Sequence, residues 1–139
     1  MIVLDTNVVS ELMQPARSVD LAAWVATQDT SAMRMTSITI AEVRYGVERL
    51  PRGRRKELLA AAATRVLSAW AGGVLDFDTA AADEYASLCV ARERAGRPIG
   101  AFDAQIAAIC RSHGATLATR NVKDFRDTGI DVVDPWRGS

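Results

Sequence analysis

Short apolar runs alternate with stretches of helical periodicity along the whole 139-residue chain, and this alternation constrains the fold more than any other feature. Residues 2–5, IVLD, read as a short strand that ends on a carboxylate. Ala32 to Ser37, GGVLDF at 72–77 and ATLAT at 115–119 read as further strands, and IDVVDPW at 130–136 as a last short strand and tail. Between them lie segments with helical spacing. Val8 to Met13 forms one, broken by Pro15. Asp20 can cap a second, with Leu21, Trp24 and Val25 on its apolar face. Ile40, Val43, Val47 and Leu50 define a third, closed by Pro51. RGRRKELLAAAATRVLSAWAG at 52–72 is a long helix with a basic first turn. Asp78 caps another through Ala95, where Gly96 supplies a stop, and FDAQIAAICRSHG runs to a stop at Gly114. NVKDF is a turn with a short helix.

Strands that are apolar at successive residues belong to a parallel sheet covered on both faces. The expected fold is therefore α/β: a three-layer α/β/α sandwich with a mostly parallel central sheet, in one domain spanning residues 1–139. In such sheets ligands gather outside the carboxyl ends of the strands. Asp5 ends the first strand, and Glu42 lies just inside the helix after the second. Asp103 falls in the first turn of the helix after Pro98. Asn121, with Asp124 close behind, follows ATLAT. A parallel sheet brings all of these to one edge.

Each residue alone has an ordinary structural explanation. Asp5 can cap the first helix. Thr39-Ile40-Ala41-Glu42 matches a capping box. Asp103 can complement a helix dipole, and Asn121 suits a tight turn. Together they mean something else. Two carboxylates ~4 Å apart repel by about 4 kcal/mol at an effective dielectric near 20, so converging acids either take up protons or bind a cation. Removing one of the charges, as in Asp5→Asn or Asp103→Asn, is then expected to relieve repulsion. An oxygen-only ligand set suits Mg²⁺ or Mn²⁺, and the chemistry implied is phosphodiester hydrolysis.

Composition narrows the alternatives. Seventeen basic residues balance seventeen acidic ones, which argues against a protein held to nucleic acid by its overall field but leaves room for a local basic groove. Only Lys56 and Lys123 among those cations are lysine. The single histidine, His113, and the separated Cys89 and Cys110 do not make a zinc site. The cysteines read as small core residues in a reducing compartment. Arg52, Arg54, Arg55 and Lys56 fit a solvated helix start, though their charge opposes the helix dipole and so hints at a partner. Trp24, Trp70 and Trp136 read as packing or interface residues. Met1 to Leu4 is too short and too soon interrupted for a signal peptide, and no apolar run approaches the ~20 residues of a membrane span, so the expected location is the cytoplasm, away from any membrane.

MIVLDTN, TSITIAEVRYGV, GAFDAQIAAIC and ATRNVKDF, in that order, resemble the four acidic blocks of PIN-domain nucleases. Their spacing and the total length are similar to the VapC-type toxins of bacterial toxin–antitoxin pairs, in particular the FitB-like branch, which the tail VVDPW also fits. The resemblance implies a Mg²⁺-dependent (or Mn²⁺-dependent) endoribonuclease with metal ligation by Asp5 and Asp103, and by Glu42 directly or through water. The family's fourth acidic position falls on Asn121, an amide, with Asp124 as a substitute nearby. Thr119 matches a hydroxyl position beside the site. A homodimer, an RNA substrate and a small cognate VapB-like antitoxin are implied as well. Two other readings stand beside this one. A phosphatase with Asp5 as covalent nucleophile would want an aspartate where Asn7 stands. A non-catalytic interaction domain would show no metal dependence and would tolerate Asp5→Asn. No glycine-rich nucleotide-binding motif is present.

Overall fold

The computed structural model describes residues 1–70 and 73–138. Ala71 and Gly72, which the sequence reading puts at the junction of the long helix and the third strand, lie outside the described residues, as does Ser139. The strands are β1 (Ile2–Leu4), β2 (Met33–Thr36), β3 (Val74–Leu75), β4 (Thr116–Ala118) and β5 (Asp131–Val133). The α-helices are α1 (Thr6–Leu12), α2 (Val19–Thr27), α3 (Ser37–Glu48), α4 (Arg54–Ala69), α5 (Thr79–Arg94) and α6 (Ala101–His113). Short 3₁₀ turns cover Thr30–Ala32 and Val122–Phe125.

The sheet order is β3-β2-β1-β4-β5, and every adjacent pair is parallel. Register explains the layering, because partners in a parallel ladder share a face. Leu4 pairs with Ala118, and both face the side covered by α1 to α4, against Val9, Leu21, Val43 and Val66. Val3 pairs with Leu117, and both face α5 and α6, against Leu88, Ile106 and Cys110. Each large aliphatic side chain fully buried in these two layers contributes about 1.5–3 kcal/mol relative to exposure. The three layers match the expectation from the sequence, and the sheet is parallel throughout the described pairs.

The helix starts differ from the sequence reading. Thr36, not Thr39, caps α3: its hydroxyl accepts the Thr39 N–H at 3.1 Å. The strand runs straight into the helix, so the last extended residue of β2 takes the cap. Glu42 then lies in the second turn, beyond the reach of a capping box. Likewise Ser18 caps α2 and leaves Asp20 in its first turn, and α1 begins at Thr6, directly after Asp5. Asp78 caps α5 as read. Gly114 ends α6 in the left-handed conformation, φ 61°, that favours glycine. Lys56 accounts for part of the basic start of α4. Its ammonium donates to the Glu48 carbonyl at the carboxyl end of α3, at 2.9 Å, where a cation is favourable.

The order β3-β2-β1-β4-β5 places the switch in direction between β1 and β4. The carboxyl ends of these strands meet where the Asp5 N–H donates to the Ala118 carbonyl at 2.9 Å. Topology alone marks that point as the place for a ligand.

Candidate active site

Asp5 lies at the switch point, only 4% exposed. It caps α1, and one carboxylate oxygen accepts the Thr6 N–H at 2.8 Å. The other accepts the Thr119 hydroxyl at 2.7 Å. Thr119 Oγ1 in turn accepts from the Asn7 amide and from the Asn121 N–H, each at 3.1 Å. That hydroxyl is saturated, with two bonds accepted and one donated. Asn7 completes the junction by accepting the Arg120 N–H at 3.2 Å. Serving as the cap of α1 thus does not exclude Asp5 as a candidate site residue. Burial, partly offset by the bonds from Thr119 and Thr6 and reinforced by Glu42 and Asp124, raises its pKa.

Glu42 is positioned by hydroxyls. Its carboxylate accepts the Thr6 hydroxyl at 2.8 Å. The Thr6 and Thr39 hydroxyls are 3.1 Å apart, and Thr36 donates to Thr39 at 3.4 Å. Thr6 has one proton and gives it to Glu42, so Thr39 donates to Thr6. The series runs in one direction, from the end of β2 to the acid.

Asp103 occupies the first turn of α6. Its pKa is pushed up to about 6, chiefly by burial and then by Asp5, Glu42 and Asp124, with Arg92 pulling the other way. A carboxyl whose pKa is higher folded than unfolded costs stability once it ionises. In chelator, this group's contribution to stability is lost as pH rises from 4 through 6. Asp103→Asn should therefore melt about 4 °C above the wild type at pH 7, for roughly 1 kcal/mol after allowing for solvent screening, and the gap should close at pH 4. Equal melting of the two proteins at pH 7, by calorimetry in EDTA, would remove the repulsion from the account.

The two candidates for the fourth acidic position separate in space. The Asp124 carboxylate acts on both Asp5 and Asp103. Asn121 holds Thr119 through its backbone and lines a neighbouring cleft with Arg120 and Lys123. Among the described residues none of Asp5, Glu42, Asp103 and Asp124 forms an ion pair. This oxygen-only set without ion pairs fits a hard divalent cation. No three of the acidic side chains among the described residues stand close enough to share one ion. That departs from a cage of three carboxylates, so an ion here would complete its shell with water.

Thr6, Thr39 and Arg92 are not site candidates in the sequence reading. Thr39 carried a signal, but as a cap. Arg92, in α5, is 5% exposed, and its guanidinium donates to the carbonyls of Arg97 and Asp124 at 2.6 Å each and of Arg126 at 3.0 Å. It ties the segment before α6 to the turn that carries Asp124.

The profile of the PIN domain matches residues 2–130. The chain belongs to the PIN-domain family. Among PIN-domain relatives it is 39% identical to the VapC ribonuclease Y4jK of Sinorhizobium fredii, over 98% of each chain. It is 35% identical to Toxin FitB of Neisseria gonorrhoeae, over 98% of this chain and 99% of that one. The crystal structure of FitAcB from Neisseria gonorrhoeae superimposes with a TM-score of 0.89 at 35% identity, covering 98% of this chain and 99% of the other. DNA-bound VapBC from Salmonella typhimurium gives 0.83 at 30% identity, covering 96% and 97%. The resemblance read from the four acidic blocks thus extends over nearly the whole PIN-domain chain, which is a nuclease of the VapC and FitB type. Among the described residues no helix is long and apolar enough to cross a membrane.

Proposed function

We propose that this protein is a Mg²⁺-dependent endoribonuclease and the toxin of a type II toxin–antitoxin pair. The observation that carries the reading is the cluster of carboxylates without ion pairs at the sheet's switch point, where burial and the charges of Asp5, Glu42 and Asp124 raise the pKa of Asp103, and burial and the charges of Glu42 and Asp124 raise that of Asp5. In this reading Asp5 and Asp103 hold the ion, and Glu42 acts through water. The ion, when bound, supplies a hydroxide-like nucleophile and charge stabilisation for the leaving oxygen. Thr119 and Thr6 fix the carboxylates, and Asp124 adds negative charge at the rim.

An antitoxin partner is supported by the structural neighbours, which include VapBC and FitAB complexes. Tyr45 and Phe102, 67% and 55% exposed, line an apolar cleft of about 560 Å³ beside Glu42 and offer such a partner area to bury. A homodimer and a cytoplasmic location belong to the same reading.

The test is cleavage and melting on one preparation. The wild type should cut RNA with Mg²⁺ or Mn²⁺ and stop with EDTA. Glu42→Gln keeps an oxygen to accept the Thr6 hydroxyl, so its stability should change by no more than about 1 kcal/mol while most cleavage is lost. Undiminished cutting after exhaustive chelation would sink the proposal.

A further inference from the structure

A cleft of about 540 Å³ opens between the turn after β4 and the tail after β5. Four cations line it, Arg120, Lys123, Arg126 and Arg137, all exposed. Its one acid, Asp134, is buried, accepts the Trp136 N–H at 2.9 Å and lies 3.7 Å from Arg137. Among the described residues Arg120, Lys123 and Arg126 have no ion pair. In a chain of zero net charge this is a local concentration of positive charge.

The cleft is held in place. The Arg120 guanidinium stacks 5.0 Å from the Trp136 ring centre, and Arg92 grips the carbonyl of Arg126. It also adjoins the acids, because Asn121, on its wall, bonds to Thr119, which bonds to Asp5. A polymer of phosphates with one linkage at Asp5 would meet cations in the next space along. An amide at position 121 suits that border, since it adds no anion to a wall that would face phosphates.

We propose that this cleft binds the RNA phosphate backbone to one side of the scissile bond, through Arg120, Lys123 and Arg126. The proposal rests on the nuclease reading and adds to it where the strand runs. An acidic protein segment is the rival occupant, but the continuity of the cleft with the acid site favours the nucleic acid.

The experiment measures binding of a fluorescent single-stranded RNA to the full chain in EDTA as KCl is varied. Each lost phosphate contact should flatten the log–log salt slope by about 0.7. For the double variant Lys123→Gln, Arg126→Gln this means about 1.4, so the wild type should lose about sevenfold more affinity between 50 and 200 mM salt. Lys123→Arg should keep the slope, as should Arg65→Gln, a change to an exposed arginine on α4. Unchanged affinity and slope in the double variant would overturn the proposal. So would a variant that keeps its RNA slope but loses binding to polyglutamate, which would assign the cleft to an acidic protein segment. Cleavage by the wild type is scored separately. Cleft-dependent binding without metal-dependent cutting supports the cleft and fails the nuclease reading, whereas cutting with cleft-independent binding does the reverse.

Discussion

Asp5→Asn should yield a folded protein that cuts RNA at least about 100-fold more slowly and melts below the wild type even in chelator. The loss of stability follows from donor counting. Both Asp5 oxygens accept, one from the Thr6 N–H and one from the Thr119 hydroxyl. An asparagine turned either way sets an NH₂ against one of those donors. Thr119 cannot rearrange freely, because its oxygen already accepts from Asn7 and Asn121. One buried bond is lost, at a cost of about 1–3 kcal/mol, against which the relief of a raised pKa is a smaller gain. Relief of repulsion alone, as the sequence suggests, would raise the melting temperature at both positions. The structure divides them, with Asp5→Asn falling and Asp103→Asn rising. Differential scanning calorimetry of both variants at pH 7 in EDTA checks the opposed signs. A rise for Asp5→Asn would mean that repulsion outweighs the hydrogen bonds.

The second large effect is expected at Arg92, far in sequence from the acids. Arg92→Met would remove the donors from three carbonyl groups on two segments at once. Each carbonyl left without its donor costs about 1–3 kcal/mol, so the total is a large part of the roughly 5–15 kcal/mol that holds a typical domain together. Methionine fills a similar volume, so the loss would report the bonds and not a cavity. Arg92→Lys should recover part of it, since an ammonium supplies donors but not the planar fork. Urea unfolding of the three proteins gives the comparison. A midpoint for Arg92→Met equivalent to less than 1 kcal/mol of change would show that water or neighbouring groups satisfy those carbonyls as well as the guanidinium does.

The strands were readable because a strand buried on both faces has to be largely apolar, as Ile2–Leu4 is throughout and the ATLAT segment is apart from Thr116 and Thr119. The acids were readable because a parallel sheet gathers whatever follows its strands, so Asp5, Glu42 and Asp103 could be placed at one edge without coordinates. Helix starts were less legible. Thr36 and Thr39 are chemically alike, and only the abrupt junction of β2 with α3 decides between them. Ser18 and Asp20 pose the same choice. Arg92 had no local signature: in sequence it is one arginine among several near the end of a helix, and its carbonyl partners come from elsewhere in the chain. The roles of Asn121 and Asp124 likewise depend on how a turn of a few residues folds against its surroundings, which neither periodicity nor charge counting reports.

The strand order also bears on synthesis. β1 is made first, yet it pairs with β2 on one edge and with β4, from the last third of the chain, on the other. A growing polypeptide that has released residues up to α4 holds Asp5 and Glu42 but has neither Asp103 nor Thr119 to set beside them. The same late segment covers the bare edge of β1, which until then is an invitation to wrong partners. In the proposed reading an unfinished chain therefore lacks the full set of acids while one edge of its first strand stays open, and completion of the sheet ends both conditions at once.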